Sequence, residues 1–253
     1  MLQVTSLQLE AWVAQFIWPF FRLLALFLMA PVFSHTVIPN TTKIAVALAI
    51  TLVIAPLLPA PPAIPLGSAA AWMLVAEQML IGFAIGFSLR IVFAALELAG
   101  DMIGLQMGIG FATFIDPQNS VQTPLIGSFL GMLATLLFLG INGHLLVLNA
   151  LVESFVLVPV GSGRAGSLHW EHFASLGSQL FALGLQISMP LLATMLLCNL
   201  ALGVMARAAP QLNLFSIGFP LTVLTGLVVL VLFLPHLGAP LEAAIHQGLR
   251  LWQ

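Results

Sequence analysis

Long stretches without a single charge most constrain the fold of this chain. Five such stretches contain no Asp, Glu, Lys or Arg, namely 23–42, 44–76, 117–152, 172–206 and 208–241. A transmembrane helix needs about 20 apolar residues, and each stretch is long enough to supply one. Only 6% of the 253 residues are charged, against about 25% in soluble domains. The chain is therefore expected to bury its surface in lipid or in other protein, and a net charge of −2 gives no basis for a nucleic-acid partner.

Prolines and glycines divide these stretches into helical blocks, because neither residue continues a helix easily. The pattern predicts an all-α, polytopic, membrane-protein-like fold of about six long helices arranged as hairpins, with broken or kinked segments. The predicted helices cover about 9–30, 40–58, 69–98, 122–158, 172–206 and 213–235, followed by an amphipathic tail to Gln253. Residues 59–65 contain four prolines and end the second helix.

A polar joint at 159–172 divides the predicted helices into two parts. Its sequence, PVGSGRAGSLHWEH, is rich in Gly, Ser and charged residues, which is typical of a connecting loop. We expect a four-helix part at 1–158, the loop at 159–172, and a two-helix hairpin with the tail at 173–253.

The segment 97–117, ELAGDMIGLQMGIGFATFIDP, lies between two of the apolar stretches. Gly100, Gly104 and Gly108 are four residues apart and Gly110 follows, although each glycine in a helix costs about 1 kcal/mol. Either the backbone bends here as a hinge or plug, or two helices pack closely through small residues. Pro117 then ends the segment.

Side chains of the same segment can seal a constriction or fill an ordinary core. Methionine adapts to irregular gaps, and aromatic rings cover a large apolar area. Both interpretations apply to Met102 and to the residues that we single out as pore-obstructing candidates, which are Met107, Phe111, Phe114 and Ile115. Asp116 precedes the proline and is expected to bond to nearby backbone amides, as Asp does at turns.

Three charged side chains lie near one another on the third predicted helix. Glu97 and Asp101 are four residues apart and share a face, and Arg90 lies seven residues before Glu97. Because ionisable groups at membrane depth usually face a protein interior or water, we expect internal ion pairs. Solvated helix ends and a proton relay are the alternatives.

No catalytic or metal-binding signature is present in the sequence. The H-E-x-x-H, G-x-S-x-G and Walker A patterns are absent, so we expect neither an enzyme nor a cofactor. The HWEH tetrapeptide supplies His169, Glu171 and His172, but a metal site normally needs a more organised ligand set. A solvated loop is therefore expected there. His144 is either a helix-packing residue or a pH-sensitive group.

Specific motifs resemble the FliR family, the flagellar branch of the type III secretion export-gate proteins. The segments that carry the resemblance are GIGFATFIDPQ at 108–118 and PQLNLFSIGFP at 210–220. Further matching positions are Arg22, PVF at 31–33, Ile38-Pro39, Lys43, Pro56, Glu97, Gly100, Gly143-His144, Ser154, Pro190, Leu202-Gly203, Arg207 and Gly226. The correspondence spans nearly the whole chain.

The resemblance implies a core subunit of the flagellar export gate in the bacterial inner membrane, within the flagellar basal body. The first four helices then look like a FliP-type unit and the last two like a FliQ-type hairpin. The implied partners are FliP and FliQ in a hetero-oligomer, FlhB at the closed base, rod or adaptor proteins at the outer end, and the unfolded proteins that are exported. The plug loop of the family maps onto 108–116.

Two other functions are consistent with the sequence. A secondary transporter would account for broken helices with few internal charges, and it predicts a protein that is stable alone. A purely structural scaffold would nucleate the assembly and never move.

Overall fold

A computed structural model gives the fold and describes residues 6–62, 64–65, 67–109, 124–163, 170–208 and 214–252. The longer helices are α1 (Ser6–Met29), α2 (Asn40–Ile54), α3 (Ala69–Gln106), α4 (Leu125–Gly140), α5 (Gly143–Leu157), α6 (Trp170–Ala208), α7 (Leu214–Phe233) and α8 (Gly238–Leu249). Short 3-10 turns follow α2, α7 and α8 at Ala55–Leu57, Leu234–His236 and Arg250–Trp252.

The all-α membrane-protein-like fold is confirmed for the part of the chain that the structure describes. Five helices there are long and apolar enough to cross a bilayer, and the broken pair α4 and α5 makes a sixth if taken as one span. This number agrees with the prediction of about six long helices.

Prolines act at helix boundaries in some places and inside helices in others. Pro39 and Pro124 occupy the N-cap positions of α2 and α4, where a missing amide hydrogen costs nothing. Pro19, Pro190 and Pro220 instead lie within α1, α6 and α7. A proline in the sequence is therefore not sufficient to predict the end of a helix.

The fourth predicted helix, 122–158, is in fact two helices. The chain breaks after Gly140, and Asn142 adopts a left-handed conformation with φ of 57°. Asparagine tolerates this region better than most residues, and Gly143 then begins α5. Apolar residues continue on both sides of this break. The apolar pattern of the sequence therefore did not predict it.

Helix α3 extends to Gln106, whereas the sequence predicted an end near residue 98. Gly100 and Gly104 are inside this helix, and the chain leaves it only at Gly108, where φ is 80°. A glycine lowers helix propensity without breaking a helix that is stabilised by packing.

The chain forms two compact units. Unit 1 contains Met1–Ile91, Asn142–Leu176 and Ile245–Gln253, and unit 2 contains Val92–Ile141 and Gly177–Ala244. Each unit is a group of residues that contact one another. The boundary predicted at 159–172 instead separates a FliP-like part from a FliQ-like part. That division stays a prediction.

In unit 1, α1 and the first part of α3 run side by side in the same direction. Near their starts, Ala14 and Trp18 of α1 form a buried cluster with Ala71 and Leu74 of α3. Further along, a methyl group added at Gly86 would lie 2.9 Å from Met29 Cβ at the end of α1. The small residues of α3 therefore allow close helix packing over the length of α1.

In unit 2, the second part of α3 packs against α4 and α6. Phe93 meets Phe138 of α4 edge to face, with ring centroids 5.8 Å apart. A methyl group added at Gly184 of α6 would lie 3.0 Å from the carbonyl oxygen of Ala95. Both neighbours hold the C-terminal end of α3, which carries the segment singled out in the sequence.

Candidate functional site at the end of helix α3

The predicted plug segment begins inside the described structure and continues outside it. Met107 and Gly108 are described, as is Ile109. The remaining predicted residues, Gly110, Phe111, Phe114, Ile115, Asp116 and Pro117, lie outside the described residues. The structure therefore defines how the segment is attached to α3, and α4 is the next helix that it describes after the segment.

Met107 attaches the end of α3 to α7 within unit 2. Its side chain is fully buried, and its carbonyl oxygen accepts a hydrogen bond of 3.2 Å from Thr222 Oγ1. A methyl group added at Gly226 would lie 2.5 Å from Met107 Cγ, so glycine at 226 makes room for the methionine. Met107 is thus held at the base of the segment.

Gly108 ends α3 with a Schellman cap. The amide of Ile109 donates to the carbonyl oxygen of Gly104 at 3.1 Å, and the amide of Gly108 donates to Leu105 O at 3.0 Å. This pair of hydrogen bonds satisfies carbonyl groups that would otherwise lack partners at the helix end. The motif requires positive φ at Gly108, which glycine adopts without strain.

The backbones of α3 and α4 approach closely at Gly100 and Gly127. A methyl group added at Gly100 would lie 2.5 Å from Gly127 Cα and 2.7 Å from Ile126 O, and neither backbone atom can yield without moving a helix. At Gly104 the nearest atom would be Ile126 Cγ1, at an ordinary contact distance of 3.5 Å. Close approach therefore requires glycine at 100 but not at 104.

Two carboxylates of α3 lie over glycines of α4. Added methyl groups at Gly131 and Gly127 would meet the Glu97 and Asp101 side chains respectively. Asp101 Oδ1 is buried without a hydrogen-bond partner, and Arg90 is exposed to solvent or lipid. The glycines thus make room for the acids, and the internal ion pairs stay a prediction.

Other polar side chains singled out in the sequence give less information. His144 Nδ1 is buried without a hydrogen-bond partner. The side chains of His169, Glu171 and His172 lie outside the described part of the chain. Among the described residues, no group of three or more His, Cys, Asp or Glu side chains could hold a metal ion.

Arg22 is a central residue of unit 1 whose role the sequence did not reveal. Its side chain is fully buried and donates to Gln78 Oε1 from Nε at 2.8 Å and from a terminal nitrogen at 2.5 Å. It also donates to Ser154 Oγ at 2.9 Å and to Val158 O at 3.0 Å. The guanidinium carbon lies 3.8 Å from the centre of the Phe155 ring, a cation–π distance.

The Arg22 network ties α1 to α3 and α5. Gln78 is 56 positions away from Arg22 in the sequence, and Ser154 is 132 positions away. The one local signal was a lone basic residue deep in an apolar helix, and such a residue normally has an internal partner. A methyl group added at Gly82 would collide with the carbonyl oxygen of Arg22, so α3 approaches α1 closely at this level.

Comparison with known proteins identifies the family. The model of the family described as bacterial export proteins, family 1, matches residues 13–248. The chain belongs to this family. Among similar proteins, the flagellar biosynthetic protein FliR of Escherichia coli K12 is 43% identical over 235 residues, covering 93% of this chain and 90% of the relative.

Other members of the family with the FliR name match over similar lengths. The protein from Pectobacterium carotovorum is 42% identical over 235 residues, covering 93% of this chain and 90% of the relative. The protein from Bacillus subtilis is 33% identical over 220 residues, covering 85% and 84%. The resemblance seen in the motifs is confirmed, and the chain is a FliR-family export protein of flagellar biosynthesis.

Proposed function

We propose that this FliR-family chain is a core subunit of the flagellar type III export gate. It assembles with FliP and FliQ into a conduit for unfolded flagellar subunits, in the bacterial inner membrane within the flagellar basal body. Similarity to FliR over nearly the whole chain supports this role, as do long apolar helices that leave much of their surface uncovered.

The attachment of the 108–116 segment supports a plug in this conduit. The helix before the segment is capped at Gly108 and held on α7 through Met107. The helix after it begins at Leu125, and α3 and α4 touch at Gly100 and Gly127. In this proposal the base of the segment stays in place at Gly108, while its middle residues obstruct the pore.

Each residue of the segment has an assigned role in this proposal. Phe111, Phe114 and Ile115 obstruct the closed conduit, and Gly110 allows the chain to turn after the capped helix. Asp116 and Pro117 end the segment. Met107 was expected among the obstructing residues, and its burial against Gly226 supports a role at the base of the segment.

Leakage of small ions tests the plug. Residues 110–114 are deleted from a chain that is expressed with FliP and FliQ, and ion leakage across the inner membrane is measured. We expect higher leakage from the deletion variant. Phe181→Ala, which removes an exposed ring from α6, is the control and should leave leakage unchanged. Unchanged leakage from an assembled deletion variant would refute the plug.

Partner capture tests the assembly independently of the plug. The chain is expressed with tagged FliP, with FliQ and with FlhB, and complexes are purified in mild detergent. We expect FliP, FliQ and FlhB to purify with the chain. Rod or adaptor proteins are then added to the purified complex and should bind to it. A chain that is recovered as a stable monomer under these conditions would support a transporter instead.

The fixed base of the segment also favours a second function, a scaffold that never moves. A photoreactive amino acid at position 114 can crosslink the segment to its neighbours before export is measured. Export that continues at the same rate after crosslinking indicates a scaffold. Export that stops indicates a gate.

A further inference from the structure

A short proline-rich segment follows α2 in unit 1. Residues 58–62, which we call the proline strap, read LPAPP, so each of them either is a proline or precedes one. Proline fixes its own φ and restricts the preceding residue to extended backbone. Leu58 is extended, with φ of −85° and ψ of 153°. The strap is therefore a stiff segment that has little conformational freedom to lose.

Both ends of the strap are held by other elements of unit 1. Just before the strap, the carbonyl oxygen of Ala55 accepts a hydrogen bond of 3.1 Å from Gln15 Nε2 of α1. At the other end, a methyl group added at Gly161, which follows α5, would lie 2.9 Å from Pro62 Cγ. The strap thus extends from α1 to the end of α5.

A small cavity lies between the strap and these two helices. Its volume is about 50 Å³, which is room for a few water molecules. A site for a drug-sized ligand needs about 300 Å³ or more. Residues 58–61 of the strap line the cavity together with Trp18 of α1, Phe155 of α5 and Pro159. The strap therefore covers this part of unit 1 with only a small gap beneath it.

The residues beneath the strap are neighbours of the Arg22 network. Phe155 lines the cavity and also has the Arg22 guanidinium 3.8 Å from its ring centre. Trp18 lies one helical turn before Arg22 and is 1% exposed. Pro159 follows Val158, whose carbonyl oxygen accepts a hydrogen bond from Arg22. The cavity is thus next to the side chains that enclose the buried guanidinium.

We propose that the proline strap is a lid that keeps water away from the Arg22 network. A hydrogen bond from a buried charge is strengthened by the low dielectric of its surroundings. The Arg22 donors bind uncharged acceptors, and water that entered the network would compete for the same donors. Prolines in the lid reduce the number of open conformations, which favours the closed state. The inference does not depend on the export role.

Cysteine labelling tests the lid. Val158→Cys is introduced in a Cys198→Ser background, which removes the lone cysteine. Val158 is 4% exposed and binds Arg22 through its main-chain carbonyl, so the hydrogen bond is kept in the variant. The full chain is expressed together with FliP and FliQ. Unsealed membranes from these cells are treated with a water-soluble maleimide, and the labelling rate is measured by gel shift.

The strap is loosened by combining Pro59→Gly, Pro61→Gly and Pro62→Gly. Because glycine gives the backbone more freedom, we expect the cysteine at position 158 to be labelled several-fold faster than with the intact strap. Pro65→Gly is the matched control, since Pro65 lies in the same loop but is exposed and outside the strap. It should leave the rate unchanged.

A second reporter separates opening of the lid from unfolding. Leu89→Cys lies on α3 in unit 1 at a position that is 1% exposed, and it should stay protected when the strap is loosened. An unchanged rate at position 158 would overturn the proposal. Equal acceleration at positions 158 and 89, or the same acceleration by Pro65→Gly, would also overturn it. Pro59→Ala with Pro61→Ala, a milder change, replaces the glycine variant if that variant is not recovered in membranes.

Discussion

Arg22 donates four hydrogen bonds from a fully buried side chain within an apolar helix. Burying a guanidinium is unfavourable unless its donors are satisfied. Here Gln78, Ser154 and the Val158 carbonyl provide acceptors from two other helices. The residue therefore fixes the arrangement of α1, α3 and α5 within unit 1.

Replacing Arg22 should destabilise the protein more than replacing an exposed arginine. Arg22→Met leaves buried acceptors without donors, and each such acceptor costs about 1–3 kcal/mol. Part of this loss is offset because the variant no longer buries a charged guanidinium. We expect a net loss of about 3 kcal/mol in the free energy of unfolding, measured by denaturation in mixed micelles. Arg250→Met at an exposed position is the control.

A double variant separates the hydrogen bonds from the loss of packing. Arg22→Met with Gln78→Leu removes a donor and its acceptor together, which is less costly than removing one. Part of the lost stability should return. If the double variant is no more stable than the single variant, the Gln78 hydrogen bonds are not the source of the effect.

The backbone conformation at position 108, with a positive φ of 80°, favours glycine. Gly108→Ala should cost about 1 kcal/mol or more, because a β-carbon is strained in this region. Gly108→Asn should cost less, since Asn is the other residue found at this cap position. Thermal unfolding of the two variants checks the order, and equal melting temperatures would contradict the Schellman assignment.

At the scale of elements, the contact of α3 with α4 depends on one glycine of a pair. Gly100→Ala places a methyl group against the backbone of Gly127, and such overpacking costs about 1–3 kcal/mol. Gly104→Ala meets only an ordinary contact and should gain up to about 1 kcal/mol from helix propensity. The free energy of unfolding should therefore fall in Gly100→Ala and rise in Gly104→Ala, as measured by denaturation of both variants.

The comparison has its own control on α6. A methyl group added at Gly203 would enter open space, so Gly203→Ala should behave like Gly104→Ala. Destabilisation at all three glycines would indicate that the chain needs flexible helices rather than a close contact at Gly100.

Local patterns predicted the long helices but not their breaks. Long apolar runs identify these helices because a span needs about 20 apolar residues, although α1 and α3 also carry charged residues. The break at Asn142 and the continuation of α3 through Gly100 depend on φ and on packing against α4, which are not local properties. For the same reason the sequence did not reveal the helix cap at Gly108.

Part of the candidate site could also be predicted from the sequence. The 97–117 segment stood out through its glycines, and Gly100 meets Gly127 as small-residue spacing predicts. Arg22 did not stand out in this way. Its partners lie 56 and 132 positions away, and no spacing rule connects residues at such distances.

At the scale of the whole molecule, uncovered apolar surface predicts dependence on partners. Only 17% of an 18-residue window of the candidate span Ile217–His236, and 28% of such a window of Ser175–Ala208, is buried within the chain. We expect the chain expressed alone to aggregate or be degraded, and co-expression with FliP and FliQ to raise its recovered amount and melting temperature. Equal recovery with and without them would contradict a gate subunit.

The long separation between Arg22 and Ser154 has a consequence for biosynthesis. A ribosome adds about 5–20 residues per second, so roughly 7–26 s pass between synthesis of Arg22 and of Ser154, 132 residues later. An arginine at the centre of a helix alone in lipid costs about 2.5–3.5 kcal/mol on insertion scales. Release of the nascent α1 into the bilayer before Gln78 and Ser154 are synthesised would leave Arg22 without these partners. We therefore expect α1 to stay with the insertion machinery until α3 and α5 have been made.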